Sequence, residues 1–145
     1  MKKIIKTILW FAWLVLIFCL SNENGMQSSS LSNGLLLHIA NFFKVSDIDW
    51  FVDTFGLIIR KGAHFSEYFI LYILTIECFR EYKVNHLVLI SFLFCVIYAS
   101  FDEFHQLFID GRCGQFKDVL IDSIGSFCSL LIWHLIKKDG RKSFT

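Results

Sequence analysis

Four long apolar runs fill most of this chain and limit its fold more than any other feature does. Their approximate bounds are residues 4–20, 62–79, 84–101 and 119–136. Each run has close to the roughly 17–25 residues that an α-helix needs to cross a bilayer. Backbone N–H and C=O groups find no water there, so each run is expected to be helical. The sequence therefore predicts an all-α membrane protein with four transmembrane helices in a single domain, residues 1–145.

The composition also favours a membrane protein over a soluble one. Hydrophobic residues make up 55% of the chain and charged residues 19%, whereas soluble domains average about 45–50% and about 25%. A net charge of +1 gives no basic surface of the kind that binds nucleic acid. The five cysteines contain no C-x-x-C pair and are interpreted as small hydrophobic residues.

The first run also has one property of a cleaved secretory signal, because Lys2, Lys3 and Lys6 lie at its start. A cleavage site needs an A-x-A-like pair of small residues after the apolar region, and Ser21, Asn22, Glu23 and Asn24 do not form one. An uncleaved membrane anchor is therefore favoured.

Lysine and arginine predict the orientation, because they are enriched on the cytoplasmic side of membrane proteins. With the N-terminus inside, nine of the 14 basic residues flank the runs on the cytoplasmic side and five lie outside. The nine are Lys2, Lys3, Lys6, Arg80, Lys83, Lys137, Lys138, Arg141 and Lys142. We therefore expect both termini to be cytoplasmic.

The first outer loop, residues 21–59, contains a further amphipathic segment. Its apolar residues recur at helical spacing: Leu35, Leu36, Ile39, Phe42 and Phe43. With Ser32 as its expected N-cap, this segment is interpreted as an interfacial helix lying on the membrane. The alternative is a lid over a polar site. Residues 49–59 are expected to extend the second spanning helix outward.

Acids, histidines and basic residues collect where three of the runs begin or end. In chain order they are Arg60, Lys61, His64, Glu67, Asp102, Glu103, His105, Gln106, Arg112, Asp118 and Asp122. Charge inside a bilayer is costly, so it is rare there and usually functional. Under the predicted orientation all these groups lie near the outer face, and we expect them to form one pocket.

Several of these residues suit acid–base chemistry, because a carboxylate can orient an imidazole that takes or gives a proton. The candidate catalytic residues are His64, Glu67, Asp102, Glu103, His105 and Asp122. In a continuous helix Asp102, His105 and Gln106 share a face. The same residue types can also hold a divalent metal ion, with His64, Glu67, His105 and Asp122 as ligands.

Other residues suit the binding of an anion, since the planar fork of arginine fits phosphate and carboxylate groups. The candidate substrate-binding residues are Arg60, Lys61, Gln106, Arg112 and Asp118. Simpler roles remain open, such as an ion pair between Arg60 or Lys61 and Glu67. Asp122 lies among apolar residues and needs a partner, which His64, His105, Arg60 or Arg112 can supply.

Four motifs carry a family resemblance. They are R-K-G-A-H-F-S-E-Y at 60–68, D-E-F-H-Q at 102–106, Gly111-Arg112, and Asp118 with Asp122 and Gly125. Together, in this order, they resemble the VanZ-like family of small bacterial membrane proteins. The resemblance implies a multi-pass protein of the bacterial cell membrane that lowers susceptibility to glycopeptide antibiotics such as teicoplanin.

The resemblance leaves the chemistry open, and we do not predict whether the protein is an enzyme. One hypothesis is that the polar site binds or modifies a lipid-linked cell-wall intermediate at the outer leaflet. A second is a non-catalytic protein that binds a lipid head group, a lipoglycopeptide or a partner. A third is a proton-coupled carrier, although its ionisable groups lie at one face with no relay through the middle.

Overall fold

The computed structural model describes the backbone of residues 1–142 and the side chains of these residues except 27, 28, 31 and 138–142. Five helices make up this part of the chain, and it contains no strand: α1 (Lys2–Ser21), α2 (Gly25–Phe42), α3 (Ile48–Glu81), α4 (Leu87–Gln106) and α5 (Phe116–Lys142). The all-α prediction is confirmed. Lys138, Arg141 and Lys142, which contribute to the predicted orientation, lie outside the described side chains.

Three of the described helices are long and apolar enough to cross a membrane. They are α1, α4 and residues Phe116–Lys137 of α5. Three of the four predicted spans are thus supported by length and composition. The second half of α3 is the fourth predicted span, and it carries Glu67, Glu77 and Arg80 among its apolar residues. That span and the orientation stay predictions.

Helix α3 is the centre of the fold and contacts each of the other four helices. It is continuous over 34 residues, which corresponds to about 51 Å at 1.5 Å per residue. Its N-cap is Asp47, whose side chain accepts a hydrogen bond from the Trp50 backbone N–H at 3.0 Å. The prediction that residues 49–59 extend the second apolar run as one helix is confirmed.

The predicted amphipathic helix is α2, and it packs along the first half of α3. Leu36 and Ala40 are its buried contacts. The helix begins at Gly25 rather than near Ser32, because the Gly25 N–H is held by the Asp110 carbonyl at 3.1 Å. A Cβ at Gly25 would collide with the Gly111 backbone. The start of α2 is therefore attached to the loop between α4 and α5.

The buried core joins α3 to α1, α4 and α5. Four of its large members belong to α3, namely Tyr68, Leu71, Tyr72 and Ile76, and Ile17 belongs to α1. Helix α1 is held against α3 and α4 by hydrogen bonds as well as by packing. Trp10 donates to Thr75 at 3.0 Å, Trp13 donates to the Glu67 carbonyl at 3.0 Å, and Tyr98 donates to the Leu14 carbonyl at 2.8 Å.

Ion pairs close the end of the bundle where α1 begins and α3 ends. Lys6 contacts Glu77 at 3.1 Å and Glu81 at 2.5 Å, and Arg80 contacts Glu77 at 2.6 Å. A lysine near a helix end is expected to extend towards the membrane interface. Here it joins α1 to α3 instead.

Helices α3 and α5 approach each other closely at Gly125. A Cβ there would collide with the Phe65 carbonyl, and the next residue, Ser126, donates to the Tyr68 carbonyl at 3.2 Å. The small residues Gly125 and Ser126 thus permit close packing of the two helices. This contact sets the register that brings the start of α5 beside residues 60–68 of α3.

Candidate functional site

Three acids from two helices are buried at the end of the bundle where α1 and α4 end and α5 begins. Asp102 and Glu103 of α4 are 3% and 4% exposed, and Asp122 of α5 is 0% exposed. Burial of a carboxylate is costly unless a partner compensates its charge. These three groups therefore define the polar core of the candidate site.

Asp122 faces His64 across the contact between α5 and α3. Its Oδ1 lies 3.8 Å from the Nδ1 of His64, so His64 is the partner among the four that the sequence allowed. Neither carboxylate oxygen of Asp122 has a hydrogen-bond partner within the described part of the chain. Four further acids lie close enough to act on its charge: Glu67, Asp102, Glu103 and Asp118.

The last turn of α4 directs its acids inward. Gln106 donates to Asp102 at 3.3 Å, which confirms that these two residues share a face. Glu103 accepts a hydrogen bond from the Gln115 backbone N–H at 2.9 Å through one oxygen. Its other oxygen, Oε1, is buried without a partner among the described residues. His64, Asp102 and Glu103 each offer an atom, all within 4.8 Å of one another.

Arg112 connects the α4–α5 loop to the end of α1. Its Nε donates to the Glu23 carbonyl at 2.8 Å, and a terminal nitrogen donates to the Leu20 carbonyl at 2.9 Å. The other terminal nitrogen contacts the Gln106 side chain at 3.4 Å. A cation is stabilising at a helix C-terminus, where unpaired carbonyls carry partial negative charge. Arg112 thus positions α1 and Gln106, and its donors are largely occupied by the protein.

Lys61 and Arg60 are adjacent in sequence but differ in their charge partners. Lys61 forms an ion pair with Asp118, in the first turn of α5. Arg60 donates to the Ser29 hydroxyl of α2 at 3.3 Å and forms no ion pair with any described residue. The alternative pairing of Glu67 with Arg60 or Lys61 is not seen among those residues either.

Two adjoining cavities lie among these groups and share Arg60, His64 and Arg112. The first, which we call the acidic cavity, has a volume of about 130 Å³. It is also lined by Leu20, Ser21, Glu23, Ser32, Ala63, Glu67 and Asp102. The second, the basic cavity, has a volume of about 250 Å³. It is also lined by Gly25, Leu57, Lys61, Gln106, Gly111, Cys113, Gln115 and Asp118.

His105 is the sequence candidate that the structure places apart from both cavities. Its ring packs against Phe18 of α1, with ring centroids 4.9 Å apart, and it lines neither cavity. Successive helix residues are about 100° apart, so His105 lies about 60° around α4 from Asp102. That rotation is enough to turn the imidazole towards α1.

The remaining candidates lie together. Lining one cavity or both are Arg60, Lys61, His64, Glu67, Asp102, Gln106, Arg112 and Asp118. Glu103 and Asp122 lie beside His64 and beneath the cavity linings. The sequence allowed α2 as a lid over the polar site but did not mark Ser29 or Ser32 as residues of the site. Sequence reasoning missed the end of α1, including Glu23. The polar residues that directly follow the first apolar run were the available signal for Glu23.

The described part of the chain is all-helical, with three apolar candidate spans and a cluster of buried acids at one end. These features indicate a helical membrane protein. Residues 6–137 match the family model described as VanZ/LLP1. The chain therefore belongs to the VanZ/LLP1 family, as the sequence motifs indicated. It shows no significant similarity to curated proteins or to solved structures.

Proposed function

We propose that this protein binds the phosphate-bearing head group of a lipid-linked envelope component at the outer face of the bacterial cell membrane. We propose further that this binding lowers susceptibility to glycopeptide antibiotics such as teicoplanin. The observation that carries the proposal is the basic cavity, around which Arg60, Lys61 and Arg112 converge. Arg60 is central, because no described carboxylate neutralises it and its planar donors suit a phosphate.

The size of the cavities favours a head group over a whole antibiotic. Pockets that hold drug-sized ligands have volumes of about 300–1,000 Å³. The basic cavity, at about 250 Å³, is smaller than this range. A lipoglycopeptide is larger than an ordinary drug and would not fit. The proposed ligand is therefore the envelope component on which the antibiotic acts, and not the antibiotic itself. The lipid chains of that ligand would remain in the bilayer beside the helices.

In the proposed membrane arrangement α1, the second half of α3, α4 and α5 are the four spans, with both termini in the cytoplasm. The excess of basic residues at the predicted inner ends supports it. The polar site then lies at the outer face. Helix α2 covers it from that side, since Ser29 contacts Arg60 and Ser32 lines the acidic cavity.

A second candidate function is modification of the bound head group by acid–base chemistry. The observation that favours it is the contact of His64 with the buried Asp122, since a carboxylate beside an imidazole can support proton transfer. His64 also lines both cavities. The two candidates differ in what His64→Gln does to ligand binding, as described in the Discussion.

Arg60→Gln tests the binding proposal in cells. In a teicoplanin-susceptible bacterium, the wild-type chain is expected to raise the minimum inhibitory concentration of teicoplanin. Arg60→Gln is expected to return it to the level of the empty vector, because the cation that binds phosphate is lost. The matched control is Arg80→Gln, at the opposite end of α3, which should protect as the wild type does. Immunoblots of membranes ensure that equal amounts of protein are compared.

Two outcomes would contradict this proposal. One is a wild-type chain that leaves the inhibitory concentration at the vector level. The other is an Arg60→Gln variant that protects fully at wild-type abundance.

A further inference from the structure

Three ligand-type side chains meet in the polar core. Asp102 accepts a hydrogen bond there from Gln106, and Glu103 accepts one from the Gln115 N–H, but a carboxylate has further lone pairs that can bind a metal ion. His64 of α3 and the adjacent acids Asp102 and Glu103 of α4 present atoms within 4.8 Å of one another. Both acids are buried and belong to rigid helices, so their positions are set by the packing of α3 against α4. An imidazole and two carboxylates on fixed helices form the type of ligand set that bundle proteins use for metal ions.

Unpartnered buried oxygens at the same place point independently to a cation. The fully buried Asp122 has two such oxygens and lies beside His64, and Glu103 Oε1 is a third. Lys61 is paired with Asp118, and the Arg112 donors are directed to Leu20, Glu23 and Gln106. Arg112 acts on Asp102 and Glu103 through its charge, but no described lysine or arginine forms an ion pair with Asp102, Glu103 or Asp122.

We propose that His64, Asp102 and Glu103 bind one divalent metal ion, and that Asp122 is a positioning residue that orients the His64 imidazole. A carboxylate beside a ligating imidazole commonly has that role. Carboxylates favour ions such as Mn²⁺, and imidazole favours ions such as Zn²⁺. The set differs from the one that the sequence suggested, since Asp102 and Glu103 are ligands in place of Glu67 and His105, and Asp122 positions His64 instead of binding the ion.

Metal binding is independent of the proposed binding of a head group, and either can fail without the other. Ion binding by the purified chain is measured without lipid or antibiotic. A bound ion would lie beneath the cavities that share Arg60, where its positive charge would add to the attraction for a phosphate.

The test uses the full chain, purified in detergent, stripped with chelator and dialysed. Mn²⁺ and Zn²⁺ are titrated separately by calorimetry, and bound metal is counted by elemental analysis. We expect one ion per chain and a higher melting temperature when the ion is bound, because ligands that bind the folded state stabilise it. Affinity should fall as the pH is lowered, because protons compete for the ligands.

Variants locate the site. Glu103→Gln is expected to lose stoichiometric binding, and Asp122→Asn is expected to weaken it by about 10–100-fold. The matched control is Asp53→Asn, an exposed acid of α3 outside the cluster, which should bind as the wild type does. Pulsed electron paramagnetic resonance of the Mn²⁺ form should show nitrogen coupling that is lost in His64→Gln.

Three results would overturn the proposal. The first is a wild-type chain that does not bind one ion per chain. This result does not depend on whether any variant folds. The second is an equal loss of affinity in Asp53→Asn and Glu103→Gln, which indicates surface binding. The third is a bound Mn²⁺ that lacks nitrogen coupling in the wild type.

Discussion

We expect Asp122→Asn to raise the melting temperature of the chelator-treated protein by about 2–8 °C and, under the proposed function, to abolish protection against teicoplanin. Asp122 is fully buried, and its carboxylate oxygens are unpartnered within the described structure. A carboxyl group that is ionised in the unfolded chain must lose its hydration or take up a proton when it is buried here. Asparagine has a similar shape and does neither, which we estimate to be worth about 1–2 kcal/mol. For a chain of this size that corresponds to the stated shift. The gain in stability and the loss of function together indicate a residue kept for function.

Asp118→Asn is the matched comparison, because Asp118 lies one turn earlier on α5 and is paired with Lys61. That pair is partly exposed, so its loss should lower the melting temperature by an amount that corresponds to at most about 1 kcal/mol. Thermal unfolding of both purified variants, monitored by intrinsic fluorescence, shows whether each substitution raises or lowers the melting temperature. Destabilisation by Asp122→Asn greater than that by Asp118→Asn would show that Asp122 anchors the fold and would contradict this account.

Under the proposed function, we expect His64→Gln to reduce protection against teicoplanin to the vector level and His105→Gln to keep most of it. His64 lines both cavities and contacts Asp122 at 3.8 Å. His105 packs against Phe18 and lines neither cavity. Both histidines are partly buried, so a general effect of losing an imidazole should be similar for the two. The measurement is the inhibitory concentration of teicoplanin at matched membrane abundance.

Ligand binding by the same histidine variants separates the two candidate functions. A short-chain polyprenyl phosphate is titrated into purified wild-type and His64→Gln protein. Loss of protection with intact binding would favour modification of the head group, and loss of both would favour binding alone. Full protection by His64→Gln, or a deeper loss for His105→Gln, would remove His64 from the centre of the site.

The helical fold was predictable from the apolar runs. In a bilayer the backbone N–H and C=O groups must hydrogen-bond to one another, and a helix does this within a single run. The outward extension of α3 was predictable too, since no proline or glycine pair interrupts residues 49–62. The start of α2 was not predictable, because it depends on the contact of Gly25 with the Asp110 carbonyl. Such a contact joins segments far apart in sequence and has no local signal.

The sequence also predicted which residue types form the site. It predicted only in part which side chains contact each other there. That the buried Asp122 needs a partner was predictable, but which of the four candidates would lie beside it was not, and the structure places His64 there. The role of Arg112 did not, because its main acceptors are the backbone carbonyls of Leu20 and Glu23, which no side-chain pattern marks. The position of His105 depends on where α1 packs against α4, and periodicity along α4 alone does not specify that.

Under the proposed membrane arrangement, residues of α3 and α5 meet in one site at the outer face of the membrane. The direct test places cysteines at Lys61 and Asp118 in a chain whose native cysteines are replaced and whose α3–α4 loop carries a protease site. Intact cells are treated with a short, membrane-impermeant bis-maleimide, and the protein is then cleaved. The control pair joins Lys61 to His134, about 24 Å further along α5.

This account predicts that the cleaved halves stay joined for the Lys61–Asp118 pair and separate for the Lys61–His134 pair. Halves that separate for both pairs, or that join only after the cells are permeabilised, would contradict it.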